Sequence, residues 1–517
     1  MLFNLDTWYQ RLRENPKASA QKKQDAIAKA DSIYLKKHFF LRFRQCPKMV
    51  MLDTTSPYLA SVDEYNRAVR RHYFKAVKVL AKQRFNHAIQ IEESTAKEMA
   101  IATKAALKNQ SQTIFDATFI VKNMLIKIDI LVKEEEGYSF YELKNSTGIK
   151  SSYYDDMAYS WVLLHQAGLV LVECYLLHIN KTYHHETTDI LPEHFLSEKR
   201  LTKAVKRRQN EVSEVLASLE EMSQLSRDDY PIGTYCLEPY GCDYKHHCWK
   251  NIPSISLFNM QQMPLKTKLS LYKEGKIALD EIPSNLLEKE IQKKQLRAYI
   301  SGERIIEKEQ ISTFLEQLNM PLAFLDFETF QIPTPYHQNL RPYEPMPFAF
   351  SLHILKCNKV HVEDYIAKDV NQDGRKDIAK LLSTYITPEM KLVAYNAPFE
   401  RQVLRKLALD VPVYAEALNA MADRVVDLMI PFAKGWVVDQ KMNGKHSLKM
   451  VLPALFPKLS YDNLEIGDGG LAMNQFILLN KESKKVQKEI RGNLSLYCSR
   501  DTEALVKIYQ YLVSLVK

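Results

Sequence analysis

No stretch of this sequence is both long and apolar enough to span a bilayer. The most apolar run, Trp161 to Leu177, is interrupted by His165, Gln166 and Glu173, and it falls short of the roughly 20 apolar residues that a membrane helix needs. The opening residues Met-Leu-Phe-Asn-Leu-Asp-Thr-Trp lack a basic start followed by an apolar core, so no signal peptide is expected. These absences point to a cytoplasmic protein that makes no membrane contact. No internal repeat or low-complexity tract stands out, so the chain is read as folded domains. Also missing is the Cys-x2-Cys spacing of structural zinc knuckles.

The content that remains is that of a large globular chain. At 517 residues it exceeds one ordinary domain, and two or three are expected. A hydrophobic content of 46% supports well-packed cores. The formal charge of +9, from 71 Lys+Arg against 62 Asp+Glu, suits a polyanionic partner without demanding one. Seven cysteines in a chain without a visible leader imply a reducing compartment, where thiols bind metal more often than they form disulfides. Cys174, Cys357 and Cys498 are read as ordinary, Cys174 as a small buried thiol in an apolar run.

Periodicity divides the chain. Residues 1–110 read mainly helical. Phe115 to Phe119, Met124 to Val132 and Tyr138 to Leu143 read as strands, with Glu134-Glu135-Glu136-Gly137 as a hairpin turn. Ser151 to Ala167 reads as a helix stopped by Gly168, Leu169 to Ile179 as a further strand, and Lys199 to Ser226 as a charged helix. A helical connector runs from about Ser254 to Asn319. A second domain opens at Pro321 with the apolar run Leu-Ala-Phe-Leu, has strand candidates at Val360 to Ile366 and Lys391 to Tyr395, and closes on a long helix from Gln487. The fold class is α/β, with expected divisions at 1–252, 253–319 and 320–517.

Two sets of acids and one set of thiols carry the chemistry. Alternate residues of a strand share a face, so Glu142 and Lys144 point together, and Asp129 lies on the neighbouring strand. Asp129 and Glu142 can supply oxygen ligands to a hard cation such as Mg²⁺ or Mn²⁺, with Lys144 orienting water or stabilising developing charge. The same residues also suit a solvated hairpin edge. In the second set, Asp326 and Glu328 share a face at the end of an apolar strand. Glu400 follows Tyr395-Asn396-Ala397-Pro398-Phe399 at a helix start, and Asp427 follows Val425-Val426. Tyr497 and Asp501 lie one turn apart on the closing helix. Four carboxylates from separate elements can hold a pair of divalent ions against a phosphodiester, with Tyr497 beside the attacking water. Their order along the chain is more telling than any single acid. Finally, Cys236, Cys242 and Cys248 form a Cys-x5-Cys-x5-Cys run. Cys46 is the best fourth thiolate for a cubane cluster; a zinc site using His246 or His247 instead stays open.

These residues resemble two nuclease groups. Roughly residues 35–250 are similar to the RecB-like branch of PD-(D/E)XK nucleases, and closest to iron–sulfur members found in helicase–nucleases and in CRISPR adaptation. The resemblance implies catalytic roles for Asp129, Glu142 and Lys144, and a [4Fe-4S] cluster on Cys46, Cys236, Cys242 and Cys248, in a restriction-endonuclease-like α/β domain with helical additions. Ser160 and Leu164 stand where that branch carries a Gln-x3-Tyr helix motif, and His72 is a candidate for its histidine ligand. Roughly residues 320–517 resemble a DnaQ-like DEDD exonuclease of ribonuclease H-like fold. There Asp326, Glu328 and Asp501 are the implied metal ligands, with Tyr497 as helper and either Glu400 or Asp427 as the middle acid. The whole order resembles a bacterial family termed domain of unknown function 2779, most clearly in Phe-Leu-Asp-Phe-Glu-Thr-Phe, Tyr-Asn-Ala-Pro-Phe-Glu and Ser-Leu-Lys-Met-Val-Leu-Pro-Ala-Leu from Ser447. The expectation is a metal-dependent nuclease, 3′→5′ exonucleolytic at the C-terminal site, acting on nucleic acid with DNA ahead of RNA. Helicase, repair or defence proteins are the expected protein partners. A non-cleaving nucleic-acid scaffold and a cluster-gated DNA sensor are the alternatives.

Overall fold

The computed structural model describes residues 34–517, apart from 86, 93, 187–188, 223–225, 227–229 and 358. The helices expected within residues 1–33 lie outside the described residues. The chain forms two compact units. The first takes in the chain up to Ser61, Phe74–Tyr183 and Asp189–Lys245; the second takes in Val62–Tyr73, a short piece from His184, and His246–Lys517. The expected connector, 253–319, is therefore counted with the second unit. Among the described residues, no helix is long and apolar enough to cross a membrane.

The sheet of the first unit contains β1 Leu35–Lys36, β2 Ala88–Gln90, β3 Thr113–Val121, β4 Met124–Lys133, β5 Tyr138–Lys144, β6 Leu171–Ile179 and β7 Leu196–Arg200. Its order is β2-β3-β4-β5-β6-β7, with β1 paired to β4. The β3-β4-β5 meander is antiparallel, whereas β5 and β6 run parallel. That parallel step needs a crossover, which includes the helix Ser151–Gln166. Asp156 through Leu164 are buried without a break in this helix, so its few polar side chains are carried inside. The expected hairpin, its turn and the helix that follows are all present. Two local expectations fail. Leu35–Lys36 and Ala88–Gln90 are strands, not helix. Lys199 lies in an edge strand paired antiparallel to β6, and the helix that follows is split into Thr202–Lys206 and Gln209–Glu220. Charge along Ser-Glu-Lys-Arg reads like a solvated helix, but charge is also what protects an edge strand from further pairing.

In the second unit, β8 Ile305–Ile306 pairs with β14 Val437–Val438. The main sheet holds β9 Leu322–Phe330, β10 Met346–Lys356, β11 Lys359–Ile366, β12 Lys391–Ala394 and β13 Val425–Asp427, in the order β11-β10-β9-β12-β13. The first three strands form an antiparallel meander, and β12 and β13 continue in parallel beside β9. Alternation along β9 sets two faces. Ala323, Leu325 and Phe327 pack with Ile378, Leu382, Leu404 and Met421 from the helices Arg375–Tyr385, Pro398–Asp410 and Ala415–Asp423. Leu322 and Phe324 pack on the other side with Leu505, Ile508 and Leu512 of the closing helix Lys484–Val516. The unit is thus three layers, helix on sheet on helix.

Phe476, fully buried on the helix Gly469–Leu478, stacks on Phe348 of β10 with ring centroids 4.0 Å apart. Its replacement by alanine should cost about 3–5 kcal/mol. The measurement is the urea midpoint, and an unmoved midpoint would show that the stack contributes nothing to the fold.

Candidate active sites

The site in the second unit follows from the alternation of β9. Asp326 and Glu328 continue the face begun by Leu322 and Phe324, so they look toward the closing helix. On that helix Tyr497, Asp501, Leu505, Ile508 and Leu512 form one buried stripe, the spacing expected of a face laid on a sheet. Thr502 fixes the helix in place, because its hydroxyl lies 2.7 Å from Ser351 Oγ and 2.8 Å from His353 Nδ1, both on β10. As a result, Asp326, Glu328 and Asp501 bring carboxylate oxygens within 4.8 Å of one another. Among the described residues this is the one such group of His, Cys, Asp or Glu that can hold a metal ion. Glu328 and Asp501 are buried, and Asp326 is partly exposed.

Glu400 and Asp427 differ in how they are used. Pro398 opens the helix after β12, and Glu400 sits in its first turn, at the carboxyl end of the parallel strands where open α/β sheets hold ligands. Glu400 is 2% exposed, and its Oε2 is buried without a hydrogen-bond partner among the described residues. Asp427 Oδ1 instead accepts hydrogen bonds from the backbone N–H groups of Asn396 (3.0 Å) and Met429 (2.9 Å). These bonds hold Asn396 in the left-handed conformation, φ 67°, that turns the chain into the Glu400 helix.

Taking these acids from water without compensating charge raises their pKa values. Burial, then the charges of Asp501, Glu328 and Glu400, hold Asp326 well above the usual carboxylate range. Burial and Asp501 push Glu328 up to about 8. Burial, with Asp427 nearby, lifts Glu400 to about 8. Burial also lifts Asp501 to about 6, against hydrogen bonds from Tyr461 and Tyr497 and the charge of Lys449. Lys449 lies over both rings, 5.5 Å from the Tyr461 centroid and 5.1 Å from that of Tyr497. Among the described residues, none of the four carboxylates makes an ion pair. Divalent ions fit this donor set: all ligands are hard oxygens, their mutual repulsion would be relieved, and one oxygen lacks a partner. Tyr461 and Lys449 were not expected from the sequence. Lys449 lies within the Ser-Leu-Lys string singled out there, but nothing local revealed which way it points.

The first unit also gathers its expected residues. Asp129, Glu142 and Lys144 line a cavity of about 550 Å³ together with Lys37, Lys78, Asp116 and Asp156. Asp129 Oδ2 accepts from the Leu143 N–H at 2.9 Å. Glu142 Oε1 accepts from Lys37 Nζ at 2.6 Å and from Ser160 Oγ at 2.9 Å. Asp156 pairs with Lys37 at 2.7 Å and also with Lys144. Lys78 pairs with Asp129 at 2.9 Å and also with Asp116. Lys37, Lys78, Asp116 and Asp156 were missed. Asp116 lies on β3 between Phe115 and Ala117, which pair with Ile130 and Ile128 of β4, and it takes the left-handed conformation, φ 59°. Asp156 and Ser160 are four apart on one helix, a spacing that was legible.

The thiols divide between the units. Cys46 links the helices Lys37–Gln45 and Pro47–Thr55 and is buried. Beside it, Gln45 Nε2 donates to the carbonyls of Tyr235 (2.8 Å) and Tyr240 (2.7 Å). Cys242 N–H donates to Cys236 O at 3.1 Å. The first unit therefore draws Cys46 to the loop that carries Cys236 and Cys242. Cys248 ends the short helix Lys245–Cys248, just past the last segment of that unit. His72 belongs to the second unit, and Leu164 is fully buried in the first core.

A family model described as a domain of unknown function, DUF2779, matches residues 323–447. That span holds Asp326, Glu328, Glu400 and Asp427 but stops short of Tyr497 and Asp501. An uncharacterized protein of Mycoplasma genitalium, MG366, is 25% identical over 224 residues, covering 39% of this chain and 33% of that protein. The chain thus matches about a third of the length of this curated relative. No solved structure matches.

The raised carboxylates make a pH prediction. A folded-state pKa above the unfolded value means that the folded chain binds more protons, so stability falls as pH rises between the two values. For Glu328 and Glu400 that window runs from about 4.5 to about 8. Metal-free protein should therefore melt at a lower temperature at pH 8 than at pH 5.5. Glu400→Gln should flatten this dependence, and a wild-type melting temperature constant across the window would refute the buried acid cluster.

Proposed function

We propose that this chain is a metal-dependent nuclease that hydrolyses phosphodiester bonds, DNA ahead of RNA, at the carboxylate site of its second unit. The observation carrying the proposal is the convergence of Asp326, Glu328 and Asp501 within 4.8 Å, with Glu400 electrostatically coupled to Asp326 and Glu328. The strand order β11-β10-β9-β12-β13, three antiparallel then two parallel, agrees with the ribonuclease H-like fold that the DEDD resemblance implies. On this reading Asp326, Glu328, Asp501 and Glu400 hold a pair of divalent ions, while Asp427 shapes the turn that presents Glu400. When bound, Mg²⁺ or Mn²⁺ supplies Lewis-acid polarisation of a phosphoryl oxygen and activation of the attacking water.

The protein's own groups set the geometry. Tyr497 stays protonated, because burial and then Asp501, Glu328 and Asp326 push its hydroxyl far above its usual range. It therefore orients the attacking water as a hydrogen-bonding group and does not remove a proton. Lys449 lies over the same ring and tempers the field of the acids. The DnaQ-like resemblance assigns 3′→5′ polarity. For the first unit the restriction-endonuclease-like fold completes the proposal, and the RecB-like resemblance implies a [4Fe-4S] cluster on Cys46, Cys236, Cys242 and Cys248. The cysteines fit this role in chemistry, being all-thiolate donors, and Gln45 ties the Cys46 junction to the loop of Cys236 and Cys242.

Two experiments test this. Purified wild type with Mn²⁺ should shorten end-labelled DNA, and Asp326→Ala should lower the rate by about 10²-fold or more. Labelled DNA and RNA both left intact by wild type would refute the nuclease proposal. Independently, protein purified without oxygen should be brown and absorb near ~400 nm, as iron–sulfur centres do. Cys242→Ser should remove that band, whereas a colourless wild type containing zinc would replace the cluster with the zinc site.

A further inference from the structure

The two acidic sites have the same number of carboxylates and opposite surroundings. In the first unit Asp116, Asp129, Glu142 and Asp156 lie within 4.0 Å of the ammonium groups of Lys37, Lys78, Lys82, Lys127 and Lys144. Four negative charges face five positive ones. In the second unit, four carboxylates make no ion pair among the described residues.

The lysines of the first unit are also placed as ions would be. Lys37 Nζ bridges Glu142 and Asp156 at 2.6 and 2.7 Å. Lys78 Nζ bridges Asp129 and Asp116. Each thus joins carboxylates from two different elements, as a shared metal ion does. Two further contacts come from the fold: Asp129 Oδ2 takes the Leu143 N–H, and Glu142 Oε1, already held by Lys37, also takes the Ser160 hydroxyl. A divalent ion entering here would add charge to a cluster already in positive excess and would have to break these bonds. The residues therefore do not fit the metal that the RecB-like resemblance implies for this unit.

We propose that the first-unit site is neutralised from within: Lys37 and Lys78 serve as tethered cations in place of divalent ions, leaving this unit a cavity that does not bind catalytic metal. The proposal does not depend on whether the second unit cleaves, since metal occupancy is what it concerns.

The test uses the full chain carrying Asp326→Asn and Asp501→Asn, so that Mn²⁺ uptake at the second site is suppressed. Free Mn²⁺ is counted by electron paramagnetic resonance during titration. With native lysines, no saturable uptake attributable to the first unit is expected at micromolar Mn²⁺. Adding Lys37→Met and Lys78→Met should create a site at least tenfold tighter, which Asp129→Asn with Glu142→Gln removes again. Should the double lysine variant not fold, as judged by circular dichroism, Lys78→Met alone is the test arm, because it leaves Glu142 and Asp156 paired. Native-lysine protein that takes up Mn²⁺ and loses it on Asp129→Asn overturns the proposal. So does a folded lysine variant that still takes up none, because the lysines would then not be what excludes the ion.

Discussion

A carboxylate removed from water must be met by a cation, by hydrogen-bond donors or by a proton. Both units bury acids, and how each meets this demand organises everything around it. In the first unit the cations are side chains, brought from the helices Lys37–Gln45 and Glu64–Lys82 to the edges of β3, β4 and β5. In the second unit the acids crowd one another, helped by tyrosine donors and the charges of Lys449 and Arg500. Such an arrangement is costly on its own, and it is stable in proportion to what binds there. At an effective dielectric of 20, two unit charges 4 Å apart interact by about 4 kcal/mol. A proton on one of the acids, or a ligand of the opposite sign, relieves such a repulsion.

That difference in electrostatics arises from topology. In the second unit β9 lies centrally, with antiparallel partners on one side and parallel ones on the other. The carboxyl ends of β9 and β12 open side by side, and the helix after β12 starts there with Glu400 in its first turn. The closing helix then crosses the sheet with Asp501 on its buried stripe, fixed by the Thr502 contacts to β10. In the first unit the corresponding opening is lined by lysines as well as acids. β1 pairs with β4, so the helix that follows starts at Lys37 above the acids.

What could be read from the sequence follows the range of the interactions. Asp326 and Glu328 were legible because a period of two is local, and Tyr497 and Asp501 because i,i+4 is local. The meander Thr113–Lys144 was legible for the same reason. Lys37 was not: it meets Glu142 across 105 residues of sequence, and a lysine at the start of a basic helix looks like any solvated one. Asp116 was hidden differently, because its left-handed backbone, φ 59°, inside a strand is not a feature that alternation reveals. The end of the edge strand, Lys199–Arg200, reads as the start of a charged helix because its charges serve exposure in either structure.

Glu400 and Asp427 are alike in sequence position and differ in surroundings. Spacing alone allows Glu400 or Asp427. Asp427 has one oxygen taken by two backbone N–H donors, an arrangement that fixes a turn and spends one oxygen's acceptor capacity. Glu400 is more deeply buried, keeps an oxygen without a partner, and contributes to the raised pKa of Asp326 and of Glu328. A buried carboxylate oxygen without a donor costs stability unless something else comes to it. The two acids therefore differ in use: Asp427 holds Asn396 and the chain reversal behind it, and that reversal opens the helix that carries Glu400 in its first turn.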